Sequence, residues 1–173
     1  RGIAPSVERS TRGLAVAAAL AALALVAGKV LAETAFLGGE WQAATDPALL
    51  GIVFGTPLGD AAVLRAVGLV LIASLAFGTA MRWPATLGAL TVVATFAMVG
   101  HTLREPRFLM GSLIMVHVAG IAYWIGALWP LHRAADGLPP AESGRLAQAF
   151  GRIALGVVAG LIVAGGALFI LLT

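Results

Sequence analysis

Neither Phe108 to Leu131 nor Ile153 to Thr173 contains a charged residue. About 20 predominantly apolar residues in a helix are needed to cross ~30 Å of hydrocarbon, and each stretch is that long. Lipid offers no water to pair with exposed backbone groups, so an open strand in this setting is excluded and helices follow. The rest of the chain repeats the pattern. Apolar residues make up 60% and charged residues 11% of it, with a mean hydropathy of +0.99. Soluble domains run at about 45–50% and about 25%, and no soluble core accounts for such an excess. The sequence therefore predicts an all-α fold, a polytopic transmembrane helix bundle forming one domain over residues 1–173.

Five apolar segments are expected to span: about Gly13 to Phe36, Ala61 to Met81, Pro84 to Leu103, Phe108 to Leu131 and Phe150 to Leu172. Asp60 is placed to cap the second helix, and Pro84 suits the first turn of the third. "DGLPPAES" breaks the chain between the fourth and fifth. "GIVFGTPLG" reads as a re-entrant or interfacial turn, and "GVVAG" in the last span as a small-residue packing motif. Charge alternates between the connections. Arg1, Arg9, Arg12, Arg82, Arg133, Arg145 and Arg152 fall on one side; Arg104 and Arg107 fall on the other with Glu40 and Asp46. The positive-inside rule then sets the N-terminus in the cytoplasm and the C-terminus outside. The first segment also has the basic start, apolar run and small residues of a signal peptide, although Lys29 sits just before the cleavage site that reading needs. A chain that opens at Arg1 is expected to be an excerpt or a processed form.

Function classes fall away quickly. Without cysteine there are no disulfides, thiolate metal sites or Cys nucleophiles. No basic stripe interleaved with aromatics suggests nucleic acid. No phosphate-cradling glycine loop is present, and neither a Ser/His/Asp set nor a carboxylate pair recurs at usable spacing, so an enzyme is not expected.

What remains are the polar side chains inside the spans, which are expensive there and usually mark function. Lys29 and Glu33, four apart, read as a snorkelling pair. Arg65 either snorkels or joins an intrabundle ion pair. His101 closes the third segment in "MVGHTL", three residues after Met98. His117 lies ten residues past Arg107, about 15 Å deep at the helical rise. Met110, His117 and Trp124 are seven apart and share a stripe. The very short turn between the third and fourth segments makes these helices antiparallel neighbours, with Met110 roughly level with His101 and His117 below. His101, His117, Met98 and Met110 thus form a descending series of imidazoles and thioethers, a donor set that favours copper as Cu(I) over hard cations. The competing reading is that the methionines fill core gaps and a histidine bonds a neighbouring helix.

Several of these stretches resemble, in order, the CopD copper-resistance family of bacterial inner-membrane proteins. "GTPLGDAAVLR" is similar to its T-x-x-G…R segment, "VGHTL" to its glycine-histidine span end, "HVAGIAYWIGALWPL" to its H…W-x-G helix, and "FGRIALGVVAGLIVAGGAL" to the helix that follows. The resemblance implies a multi-pass inner-membrane protein that handles copper, by uptake, transport or resistance. It carries the family's histidines onto His101 and His117 and its tryptophan onto Trp124. The family's histidine in an earlier helix has no counterpart, an aromatic before Arg65 is replaced by alanine-rich sequence, and Gly151 stands where a serine is expected. The expected partners are the lipid bilayer, a periplasmic copper-binding protein, and further helices of the same protein or of a partner subunit. Two alternatives stand beside copper. In one, His101 and His117 are axial ligands of a b-type haem, a pairing opposed by a depth difference of ~10 Å. In the other, the chain is a metal-free assembly partner of a membrane complex.

Overall fold

The structure is a computed structural model and describes residues 5–99 and 107–172. Among the described residues every regular element is helical. In chain order these are α1 (Pro5–Gly38), a 3-10 turn (Trp41–Thr45), α2 (Pro47–Phe54), α3 (Pro57–Ala73), two 3-10 turns (Ser74–Phe77 and Thr79–Met81), α4 (Arg82–Ala94), a 3-10 turn (Thr95–Met98), α5 (Arg107–Gly137) and α6 (Pro140–Leu172). Four helical stretches are long and apolar enough to cross a membrane: Pro5–Gly38, Pro57–Phe77, Phe108–Gly137 and Pro140–Leu171. The chain is a multi-pass helical membrane protein. The third anticipated span is described in part. That part comprises 13 residues of α4 and four of 3-10 helix, which rise about 28 Å. The end of that expected span lies outside the described residues.

Helices overrun the apolar segments that announced them. α1 begins at Pro5 and α6 at Pro140, because hydropathy marks only the lipid-facing part of a helix. Ahead of Phe150, "PAESGRLAQA" is rich in Ala, Leu, Glu, Gln and Arg, which extend a helix into water. The cap of α3 also differs from expectation. Thr56 is the N-cap, its side chain accepting from the Gly59 amide at 3.3 Å, and Asp60 sits in the first turn. Pro57, with its φ already fixed near the helical value, starts the helix earlier than Asp60 could. Asp46 caps α2, accepting from the amides of Ala48 and Leu49 at 2.8 and 3.3 Å. "GIVFGTPLG" is thus the end of a short helix and a tight turn into the next.

The described residues form two compact units, 15–99 and 5–14 with 107–172. In the first, Val30 of α1, Val53 of α2 and Ala62 of α3 make a buried apolar cluster. α3 and α4 run antiparallel and cross at glycine. A Cβ on Gly68 would lie 2.7 Å from the Gly88 carbonyl oxygen, and one on Gly88 would run into the Gly68 carbonyl. The chain turns between the two helices through Gly78, whose φ of 126° is open to glycine and strained for other residues.

In the second unit, α5 and α6 pair antiparallel. Tyr123 stacks on Phe150 with centroids 5.6 Å apart, and Leu161 packs so closely on Gly120 that a Cβ there would lie 2.8 Å from it. The first turns of α1 join this unit: Trp129 Nε1 donates to Ser10 Oγ at 3.2 Å. Within "GVVAG", Gly156 faces open space and a Cβ on Gly160 would meet Val116 only at 4.0 Å. The tightest backbone approach is therefore at Gly68 and Gly88, not at that motif.

Candidate metal centre and a buried arginine

His117 stands ten residues into α5, about 15 Å along its axis. It is partly buried, and its Nδ1 is enclosed with no hydrogen-bond partner. The ring lies over Gly165 of α6. A Cβ at that position would be 3.6 Å from His117 Cε1 and 3.7 Å from Nδ1. Glycine thus leaves room for the imidazole, and a longer side chain would take it. A buried polar atom without a partner costs about 1–3 kcal/mol. A neutral imidazole nitrogen with a free lone pair is also the commonest protein ligand for metals.

Met110 and Trp124 lie seven residues to either side of His117 on the same helix. Met110 is 2% exposed. Trp124 meets Phe150 edge-on, with centroids 5.6 Å apart, and its Nε1 is likewise enclosed and unpartnered. The anticipated stripe therefore faces inward over its whole length. Seven residues are ~10.5 Å of helix, so Met110 and His117 are separate levels and not two ligands of one ion. Met98, half-buried, ends the 3-10 turn after α4. His101 lies outside the described residues, as does the turn expected to bring it level with Met110. Among the described residues no group of three or more His, Cys, Asp or Glu side chains could hold a metal ion.

Among the described residues Arg65 joins no ion pair and is held instead by a hydroxyl and a ring. Its Nε donates to Thr95 Oγ1 at 2.9 Å, across thirty residues of sequence, and its guanidinium carbon lies 4.6 Å from the centroid of the Phe96 ring. Thr95 is 1% exposed and donates its own hydroxyl to Val92 O at 2.6 Å. Nη2 of Arg65 is enclosed and unpartnered. The signal for this link was a polar residue, Thr95, in the middle of an apolar segment. Lys29 and Glu33 form the expected pair at 2.9 Å, both side chains well exposed.

A family model described as Copper resistance protein D-like, N-terminal domain, matches residues 1–105. No curated protein matches the chain. No solved structure matches it.

Proposed function

The chain belongs to the copper resistance protein D-like family, and on that premise we propose that it passes copper across the bacterial inner membrane, from the periplasmic face toward the cytoplasm. Copper is the cargo, carried as Cu(I). His101 and Met98 are the entry ligands, Met110 is a further thioether on the path, and His117 is the deep site. Thioether and imidazole donors together suit a soft ion and reject hard ones. With no nucleotide-binding loop in the sequence, movement is passive, gradient-coupled or driven by a partner.

The observation that carries this reading is the enclosed, unpartnered Nδ1 of His117 in the middle of a span. A structural histidine at such a depth would be expected to hydrogen-bond a neighbour. This one leaves a nitrogen unused on the same stripe as a buried thioether.

Metal analysis and an absorption spectrum of the detergent-purified chain test the proposal. Stoichiometric copper without a Soret band is the expected result. A Soret band would move the histidines to haem ligation, and a colourless, copper-free protein after Cu(I) loading would leave the assembly-partner reading.

A further inference from the structure

We propose that Arg65 is the centre of an anion-binding site, separate from the copper ligands, that takes a carboxylate or phosphate group. The guanidinium is held in place from two sides. Thr95 commits its hydroxyl proton to Val92 O and accepts from Arg65 Nε, while the Phe96 ring backs the guanidinium plane. Such fixing restricts how the guanidinium can turn, and Nη2 is enclosed with no partner among the described residues.

Arg65 lines a cavity of about 210 Å³ walled by apolar side chains that include Leu25, Leu58, Ala61 and Val99. Among the described residues the other charged one on its wall is Lys29, whose ammonium is already paired with Glu33 at 2.9 Å. Among those residues no carboxylate on the cavity wall offsets the positive charge of Arg65. Arginine cannot relieve that by losing its proton, whereas an anion in the cavity would relieve it with a charge-assisted hydrogen bond from the guanidinium. The volume suits a small anionic group and falls below the ~300 Å³ at which drug-sized pockets begin. Arg65 is eight residues into α3, about 12 Å along its axis. A free anion and a lipid head group share the required chemistry, and the experiment separates them.

The full chain, purified in detergent and stripped of lipid, is titrated with sodium phosphate and sodium acetate against sodium chloride at matched ionic strength. In parallel, retention of phosphatidylglycerol over phosphatidylcholine is measured by native mass spectrometry. The expected result is saturable thermal stabilisation by phosphate or acetate, or selective retention of phosphatidylglycerol. The first identifies a free anion and the second a lipid. Arg65→Gln should abolish the effect. Thr95→Val, which keeps the charge and removes its anchor, should weaken affinity at least tenfold. If neither anion nor phosphatidylglycerol is bound selectively, the proposal fails. It fails equally if Arg65→Gln binds like the parent, or, should that variant not fold, if Thr95→Val does.

Discussion

His117 and Arg65 are both partly buried polar side chains in apolar helices, yet only one was legible before folding. The stripe of Met110, His117 and Trp124 follows from seven-residue spacing alone, because helical geometry fixes which residues share a face. The partner of Arg65 is set by how α3 and α4 pack, and a side chain that long reaches well beyond its sequence neighbours. Asp60 was nearer in sequence, but Thr95 and Phe96 hold the guanidinium. Two predictions belong at this scale. His117→Leu is expected to abolish copper binding at the deep site, lowering the copper stoichiometry, while shifting stability by less than about 1 kcal/mol, since it removes an unsatisfied group and fills similar volume. Metal analysis and thermal melting of the variant check this; parental copper stoichiometry would show His117 to be a packing residue only. Gly165→Leu leaves every candidate ligand in place and puts a side chain where the imidazole lies. It should weaken copper binding at least tenfold and lower stability by about 1–3 kcal/mol from overpacking. A Cu(I) competition titration that gives the parental affinity would rule out the α5–α6 contact as part of the site.

Among the elements, hydropathy located the helices well and their ends poorly. The reason is physical: lipid selects for apolar surface, whereas a helix stops where capping and backbone geometry stop it. Thr56 with Pro57, and Gly78 with its positive φ, fix boundaries that no apolar count contains. Small residues misled in a similar way. "GVVAG" has the right spacing for close packing, but spacing does not name a partner, and the tight crossing uses single glycines on α3 and α4. Gly88→Ala tests that crossing. The new methyl group would meet the Gly68 carbonyl and lie 2.8 Å from Leu71 Cβ. Backbone cannot swing aside as a side chain does, so a loss of about 1–3 kcal/mol is expected. Unfolding of the detergent-solubilised variant measures it, and an unchanged midpoint would mean that the helices separate there without penalty.

At the scale of the whole molecule, the expected sidedness rests on the arginine asymmetry. Ser10, near the start of α1, accepts from Trp129, near the end of α5. This contact ties the first turns of α1 to the end of α5 within one compact unit. α1, α3, α5 and α6 are the four helices long and apolar enough to cross; the five-span order expected from the sequence adds Arg82–Met98, and reporter fusions test it. Arg9, Arg12, Arg133, Arg145 and Arg152 fall at the end that the positive-inside rule assigns to the cytoplasm. An alkaline phosphatase fusion after Thr173 should be active in the periplasm, and one after Leu138 should be silent. Activity in the opposite pattern would overturn the five-span order. The family match ends at residue 105, in the segment between the two compact units, so the copper family and the His117 stripe meet in one chain from different parts of it.

Where α3 meets α4, main chain rests on main chain, with no side chain between Gly68 and Gly88 to yield. Such a contact works as a fulcrum. Arg65 sits three residues from it on one arm, and Thr95 seven residues from it on the other. A rock of α4 about that point is delivered to the guanidinium as a pull through its bond to Thr95, with little play to absorb it. A push on the Arg82 end of α4 is therefore geared to the tilt of Arg65.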